Sequence, residues 1–425
     1  MDIYKDAVHL SDNARKYEEM EWKYGCHNYY PLPVVLAKGE GVYVYDVDGK
    51  RYTDCLSAYS ALNQGHCHPK IVEAAIKQIQ TLTLTSRAFF NNKLGLAEEY
   101  LAKVGGYDKC IFMNTGVEGG ETALKLARRW GYVKKKIPDN QAKIIFCNGN
   151  FWGRTIAACG SSDDIERYRQ FGPFGGLGFE LINYNDVDAL EAKFKADPNY
   201  CAFMVEPIQG EMGVILPADG YLKKVRELCT KYNVLMICDE VQTGLGRTGK
   251  MFCYEWEGIK PDLVILGKAL SGGILPVSAV LANDDVMLNI HPGEHGSTYG
   301  GNPLAAEVAV TSVKVIQEEH LVEKSLEMGE YFRELARKIP SPLIQQIRGR
   351  GLFSAIQISQ GAWQFCLNMM KRGVLAKPTH ENSVRFAPPL IMTKPQVEEV
   401  IKVIAEALAE LEQMIKDGKL APPSH

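Results

Sequence analysis

Residues 234–268 constrain this chain more than any other stretch. They read VLMICDEVQTGLGRTGKMFCYEWEGIKPDLVILGK. One apolar run, Val234-Leu235-Met236-Ile237-Cys238, stops at Asp239-Glu240, and a second, Leu263-Val264-Ile265-Leu266, stops at Gly267-Lys268. Short apolar runs bounded by turn residues have the pattern of strands buried on both faces, which belong to parallel sheets covered by helices. Ligands of such open sheets gather outside the carboxyl ends of the strands. The stretch therefore sets one acid, Asp239, and one amine, Lys268, on the edge of a predicted site.

The same alternation runs through the middle of the chain. Apolar runs at 110–113, 144–147, 202–205 and 277–281 are interleaved with helical spacing at 121–136 and 220–232 and a glycine-rich connection at 172–178. Strands alternating with helices predict an α/β fold with a mostly parallel sheet covered on both faces. Ahead of it, residues 1–20 read as a short helix or arm and 25–33 as a turn-rich loop. Residues 41–46 and 51–54 flank Asp48-Gly49, a hairpin signal. Helical spacing follows at 69–80 and 92–104. After Pro303 the pattern changes. Residues 304–318 and 321–338 are helical, and 353–358 alternate like a half-exposed strand. Thr393-Lys394-Pro395-Gln396 is a capping-box pattern that opens a helix with Val397, Val400, Ile401, Ile404, Leu408, Leu411 and Ile415 on one stripe. A chain of 425 residues exceeds one ordinary core. The expected division is an N-terminal arm and β segment (1–58), a large α/β domain (59–310) and a C-terminal α+β domain (311–425).

Bulk charge excludes some partners. A net charge of -3 gives no reason to expect nucleic acid or a membrane surface, and no apolar run approaches the ~18 residues a spanning helix needs. Eleven scattered cysteines, many inside apolar runs, suit reduced thiols rather than a disulfide framework. The start, Met1-Asp2-Ile3-Tyr4-Lys5-Asp6, is neither a secretory signal nor an Arg-rich transit peptide, and the tail Ala421-Pro422-Pro423-Ser424-His425 carries no recognisable address. The expected compartment is the cytoplasm, or the mitochondrial matrix if a presequence has been removed.

Several constellations carry chemistry. Asn114-Thr115-Gly116-Val117-Glu118-Gly119-Gly120-Glu121 joins a strand to a helix. A glycine-rich helix start points free N–H groups at an anion, although a plain strand–helix turn reads the same way. Residues 244–250 match G-x-x-x-x-G-K, but Met251 stands where Ser or Thr must hold magnesium, and Asp239-Glu240 would crowd a triphosphate, so a P-loop ATPase is the disfavoured rival. His66-Cys67-His68 has no partner pair at metal-ligand spacing and reads as loop and packing residues, with no metal expected. Lys268 ends a buried run, and an enclosed amine loses its charge readily, as Schiff-base chemistry requires. A carboxylate at the neighbouring strand end would pair with a protonated ring nitrogen. An acid and a lysine so placed are what a pyridoxal phosphate enzyme needs. Phe151-Trp152, after the 144–147 strand, is either core or a stacking surface for a flat ring. Arg154 and Arg385 are candidate carboxylate clamps, since guanidinium binds carboxylate in bidentate fashion, and each taken alone reads equally as a surface charge. Cys147 and Cys159 flank the Phe151 loop, as a redox pair or as two separate thiols.

With these motifs the chain resembles the class III (ω-amino) aminotransferases of pyridoxal phosphate fold type I, from Tyr24 to Ile415. The resemblance is carried by Asn63-Gln64-Gly65-His66-Cys67-His68-Pro69, Leu82-Thr83-Leu84-Thr85-Ser86-Arg87-Ala88-Phe89, Asn114-Thr115-Gly116-Val117-Glu118 and Val205-Glu206-Pro207-Ile208-Gln209-Gly210-Glu211. It continues in Asp239-Glu240-Val241-Gln242-Thr243-Gly244, Leu266-Gly267-Lys268-Ala269-Leu270-Ser271-Gly272-Gly273, His295-Gly296-Ser297-Thr298-Tyr299-Gly300-Gly301-Asn302-Pro303 and Arg385-Phe386-Ala387-Pro388-Pro389. It implies a mostly parallel seven-stranded sheet in the large domain, a small α+β C-terminal domain and pyridoxal 5'-phosphate as cofactor. Lys268 would be the covalent anchor and proton shuttle, Asp239 the partner of the ring nitrogen and Gln242 that of the ring hydroxyl. Phe151, with Trp152 beside it, would stack on the ring. Gly116 and Val117 would hold the phosphate, and Glu206 would lie near the ring-binding groups. Ser297 and Thr298 would reach the phosphate in a neighbouring subunit, which makes the active form a homodimer.

Within the family, Tyr29, Tyr59, Arg154 and Glu211 point to the members that act on ornithine with 2-oxoglutarate as acceptor. Tyr29 and Arg154 would hold ornithine's distal end, and Tyr59 would shape the pocket. Arg385 would bind the α-carboxylate of 2-oxoglutarate while Arg154 takes its far carboxylate. Glu211 would pair with Arg385 in the first half-reaction and release it in the second. The products would be glutamate 5-semialdehyde, which cyclises to pyrroline-5-carboxylate, and glutamate. The alternative is another ω-aminotransferase, with 4-aminobutyrate, acetylornithine or lysine as donor. Two departures from the family pattern are Cys238 before Asp239 and the pair Gly119-Gly120, expected to make the helix start more flexible.

Overall fold

Asp48-Gly49 turns the chain between the second and third strands. Strands β1 (Leu36–Glu40), β2 (Tyr43–Asp46) and β3 (Arg51–Asp54) run antiparallel. Gly49 takes φ +85°, a left-handed value that side chains resist. The Asp46 carboxylate accepts the N–H groups of Asp48 and Lys50 at 3.0 and 2.9 Å. A fourth strand of this sheet, Val374–Leu375, comes from the far end of the chain and pairs in parallel with β3, so the N-terminal β segment is joined to the C-terminal region. The computed structural model describes residues 10–380 and 382–420. The expectations for Met1–Asp6 and for the tail from Ala421 lie outside them. A helix, Asp12–Tyr24, precedes the first sheet.

The central sheet holds seven strands: β4 (Lys109–Met113), β5 (Lys143–Cys147), β6 (Phe179–Ile182), β7 (Tyr200–Val205), β8 (Leu235–Asp239), β9 (Leu263–Leu266) and β10 (Ser278–Ala282). Their order is β4-β10-β9-β8-β7-β5-β6, and only β10 is reversed. Every residue of β7, β8 and β9 is buried. In β8, Leu235 and Ile237 join the core on the side of the helix Gly116–Val133, while Met236 and Cys238 join the core on the other face. Burial of each such side chain contributes about 1.5–3 kcal/mol. β6 was not among the apolar runs, because Glu180 breaks its pattern. The helix expected at 121–136 starts five residues earlier, at Gly116.

The third sheet comprises β11 (Ile344–Arg350), β12 (Phe353–Ile358), β14 (Lys377–Pro378) and β15 (Ser383–Phe386), in the order β11-β12-β15-β14 and antiparallel throughout; Val374–Leu375 is β13. The half-exposed reading of 353–358 is corrected here. Ile356 and Ile358 face the main core, and Phe353 and Ala355 are buried against Ile208, Val214, Cys253 and Ala387. The loop after β7 covers the face that alternation alone assigned to solvent. The last helix, Lys394–Lys416, opens as its capping box predicts, with the Gln396 side chain accepting the Thr393 N–H at 2.9 Å. One continuous helix, Pro303–Glu318, runs through the expected division near residue 310.

The loop with phosphate-loop spacing is packed solid. Arg247 is fully buried and donates to Leu352 O at 2.8 Å, Pro388 O at 2.5 Å and Asn63 Oδ1 at 2.6 Å, tying three distant segments together. His66 Nε2 lies 2.7 Å from Asp54 Oδ2, and His68 Nε2 lies 3.1 Å from Glu319 Oε1.

Candidate active site

Parallel register places the chemistry. Val205 pairs with Cys238 and Asp239 with Ile265, so Glu206, Asp239 and Lys268 leave three adjacent strands at one edge of the sheet. They line a cavity of about 210 Å³ together with Gly116, Val117, Phe151, Trp152 and Gln242. A second cavity, of about 410 Å³, adjoins Lys268 beside Asn114, Thr115 and Gly116.

The electrostatics follow from enclosure. Burial pushes the Glu206 carboxyl up, the neighbouring Asp239 adds to this, and the result is about 8. It does so even though Glu206 accepts the Phe151 and Gly210 N–H groups at 2.9 and 3.2 Å. Burial also raises Asp239, with the Val241 N–H (3.0 Å) and Lys268 pulling it back. Lys268 is drawn below its ordinary value, first by burial, with Glu211 opposing and the Arg385 charge assisting. A pair of titratable groups moved toward each other in this way suits proton transfer near neutral pH. Lys268 has φ +43°, a left-handed backbone that a non-glycine residue adopts at some cost.

At the helix start, Thr115 caps Glu118 N, and the Glu118 carboxylate accepts the Thr115 N–H at 2.7 Å. The N–H groups of Gly116 and Val117, in the first turn, have no acceptor within the helix. Phe151 is half-buried. Trp152 is buried, with its Nε1 donating to Ser161 Oγ at 2.7 Å. Gly119 and Gly120 serve close packing, which corrects the expectation of flexibility. A Cβ on Gly119 would lie 2.9 Å from Ile265 Cγ2, and one on Gly120 2.5 Å from Trp152 Cε3.

A second group of residues stands beside the cavity. Arg385 Nη1 donates to Glu211 Oε1 at 2.9 Å, and Gln242 bridges the pair, donating to Glu211 Oε1 at 2.9 Å and accepting from Arg385 at 3.1 Å. Burial would raise Glu211, but Arg385 and Lys268 outweigh it and hold the carboxyl at about 2. Tyr59 stacks 5.2 Å from the Arg385 guanidinium. Its hydroxyl is raised by burial, with Glu211 and Tyr29 adding to the shift and Arg385 and Arg154 opposing it. The other four candidate substrate residues thus lie within electrostatic reach of Tyr59. Tyr29 and Arg154 are exposed, and Arg154 lies 5.8 Å from the Phe151 ring.

Residues 24–408 match the family model for aminotransferase class-III. The chain belongs to the class III aminotransferases. A Drosophila melanogaster protein named "Ornithine aminotransferase, mitochondrial" is 60% identical over 393 residues, 92% of this chain and 91% of that one. A Toxoplasma gondii ornithine aminotransferase structure, described with partial occupancy of PLP at the active site, superposes with a TM-score of 0.93 at 44% identity, covering 97% and 98% of the two chains. An acetylornithine aminotransferase from Elizabethkingia anophelis superposes with a TM-score of 0.86 at 48% identity, covering 94% of this chain and 100% of that one.

Class III aminotransferases use pyridoxal phosphate, and the residues present fit it. The cavity offers an acid and an amine at neighbouring strand ends, an aromatic wall and unpaired N–H groups at a helix start. Ser297 and Thr298 do not line this cavity within the chain. The Ser297 hydroxyl accepts from Asn114 Nδ2 at 2.8 Å, and Thr298 is exposed. Cys147 and Cys159 are free buried thiols, and Cys147 Sγ lies 3.7 Å from the Tyr221 hydroxyl. Among the described residues no helix is long and apolar enough to cross a membrane. Two groups beside the Glu211–Arg385 pair carry no sequence signal of their own. The Thr379 hydroxyl donates to the Glu211 main-chain oxygen, and Lys377 pairs across the strands with Arg385. The hydrogen bond reveals the first and the strand pairing the second.

Proposed function

We propose that this aminotransferase moves the δ-amino group of L-ornithine to 2-oxoglutarate, giving glutamate 5-semialdehyde, which cyclises to pyrroline-5-carboxylate, and glutamate. The observation that carries this reading is the Glu211–Arg385 pair. An unpaired Arg385 would repel the amine end of ornithine. With Glu211 on it at 2.9 Å, the pocket presents a neutralised wall to the reacting amine of a donor whose only carboxylate sits at the far end. Tyr29 and Arg154 would take that far end, and Tyr59 would bound it. Once Glu211 swings away, Arg385 can take the α-carboxylate of the dicarboxylate acceptor. Its Nε is buried without a partner, a donor that a bidentate carboxylate would satisfy.

When bound, pyridoxal phosphate supplies a carbonyl for the amine and a ring that stores an electron pair. Lys268 anchors it and, as an amine held below its ordinary pKa, accepts and returns a proton at Nζ. Asp239 would set a negative charge for the ring nitrogen. Gly116 and Val117 would offer N–H groups to the phosphate, Phe151 and Trp152 would wall the ring, and Gln242 would serve the ring hydroxyl. Glu206 fixes the Phe151 and Gly210 backbone.

A homodimer is supported by exposed aromatic surface, with Phe89 71%, Phe90 97% and Tyr299 58% exposed. Tyr299 adjoins Ser297 and Thr298, which would then reach the partner's phosphate. Eleven unpaired thiols support a reducing compartment, the cytoplasm or the mitochondrial matrix.

The acetylornithine aminotransferase likeness keeps a donor with a blocked α-amine as the second reading. The test is the holoenzyme's visible absorbance, titrated separately with ornithine, N-acetylornithine and 4-aminobutyrate. Ornithine should bleach the band at the lowest concentration, and 2-oxoglutarate should restore it. Equal or better bleaching by N-acetylornithine would move the assignment to the second reading.

A further inference from the structure

Glu211 can leave Arg385 only if its carboxylate finds another partner. A carboxylate stranded in an enclosed pocket is strongly disfavoured. The backbone around it is held fast. The Thr379 hydroxyl donates to Glu211 O, Gly210 O accepts from Arg385 at 3.2 Å, and Gly213 O accepts Arg348 Nε at 2.8 Å. Any release from Arg385 therefore falls to the side chain, whose Oε1 is held by Arg385 and Gln242 at 2.9 Å each. The question is which cation it meets.

Lys377 stands directly across from Arg385 in the β14–β15 pair. Residues so opposed in an antiparallel pair project from the same face, with Cβ atoms about 4.5–5.5 Å apart. Two like charges facing each other there are unfavourable by themselves, which calls for an anion between them. Lys377 is half-buried, and among the described residues its ammonium forms no hydrogen bond or ion pair. Burial pulls its ammonium below the ordinary value, and Cys366 and Glu211 act against that pull. It is therefore an enclosed cation within the field of Glu211, two residues from the threonine that holds Glu211's backbone.

We propose that Lys377 is the second station of the Glu211 carboxylate, receiving it when a substrate carboxylate takes Arg385. Lys377 is thus a positioning residue that acts on the acceptor half-reaction through Glu211. This rests on the gate reading given above.

The test uses the holoenzyme and two readouts: glutarate, an unreactive dicarboxylate, bound in a calorimeter, and the single-turnover reaction with ornithine. Lys377→Met should weaken glutarate about tenfold and raise KM for 2-oxoglutarate with little change in kcat. Its ornithine half-reaction should stay within about twofold of wild type. Lys377→Arg should restore glutarate binding to within about threefold. In a Glu211→Ala background, Lys377→Met should add less than about twofold, because the carboxylate it receives is gone. Lys377→Gln, checked by thermal melt, serves if the methionine variant does not fold. Equal losses in both half-reactions, no loss in either, or a full tenfold loss in the Glu211→Ala background would each overturn the proposal. If Glu211→Ala alone leaves glutarate affinity and the ornithine half-reaction at wild-type values, the gate reading itself falls. If Glu211→Ala shifts them and Lys377→Met does not, only the Lys377 assignment falls.

Discussion

Arg385 holds the Glu211 carboxylate at 2.9 Å while its own Nε remains buried and unpartnered. The guanidinium is thus half used, with one edge on the protein's own acid. Glu211→Ala should free the occupied edge as well and open the guanidinium to any carboxylate. The expected result is a fall of at least about tenfold in the preference for ornithine over glutamate as amino donor, read from the ratio of kcat/KM values. An unchanged ratio would rule out the gate.

The gate should also be indifferent to pH. Glu211 is held at about 2, below its ordinary 4.5. A depressed carboxyl contributes stability that is present above the unfolded value and is lost as pH falls through the folded one. Between pH 5 and pH 9 Glu211 stays ionised, so the ornithine-to-glutamate preference should stay flat over that range even while kcat changes.

Glu206 behaves in the opposite sense. Its carboxyl is raised from 4.5 to about 8, first by burial and then by Asp239. The folded state binds this proton more tightly than the unfolded state, so the group's contribution to stability falls as pH rises from 4.5 to 8. In cofactor-free protein, the unfolding free energy from denaturant titration across this window should decline more steeply for wild type than for Glu206→Gln, by a slope of up to about 1.4 kcal/mol per pH unit. Parallel curves would show that Glu206 is ionised throughout.

Gly119 and Gly120 should respond differently to the same methyl group. At Gly120 the new Cβ meets the Trp152 indole at 2.5 Å, and that ring is buried and hydrogen-bonded, so it cannot yield. Gly120→Ala should cost about 1–3 kcal/mol in a denaturant titration and weaken cofactor affinity, since Trp152 walls the cavity. At Gly119 the neighbour is Ile265 Cγ2 at 2.9 Å, the branch methyl of a fully buried strand residue, so Gly119→Ala should also cost about 1–3 kcal/mol but without displacing the Trp152 wall of the cavity.

What could be read from the sequence was whatever rests on local pattern. The runs before Asp239 and Lys268 are uninterrupted because β8 and β9 are covered on both faces, and the capping boxes at Thr115 and Thr393 close within three residues. Patterns that depend on distant contacts were not legible. Phe353 and Ala355 are buried by a loop more than a hundred residues earlier in the chain, β6 is broken by Glu180, and Lys377 acquires meaning only from its register with Arg385. Arg247 looked like part of a phosphate loop because spacing alone cannot show that Leu352, Pro388 and Asn63 fill the space an anion would need.

Recognition of the distal end gives the sharpest contrast between donors. Tyr59 is half-buried in a left-handed backbone, φ 63°, with its ring 5.2 Å from the Arg385 guanidinium. Arg154 is exposed beside Phe151, and its charge acts on the Tyr59 hydroxyl. A charge-assisted hydrogen bond to a substrate carboxylate is worth about 1.5–3 kcal/mol, so Arg154→Met should raise KM for ornithine and for 2-oxoglutarate by about 10- to 100-fold. Both carry a far carboxylate, and both should suffer alike. 4-Aminobutyrate has only one carboxylate and no α-amine, so Tyr59→Phe should change its kcat/KM by less than about twofold while lowering that for ornithine by about tenfold. Steady-state kinetics with the three substrates would decide. A loss confined to 2-oxoglutarate in the Arg154 variant would mean that ornithine's far end is held elsewhere.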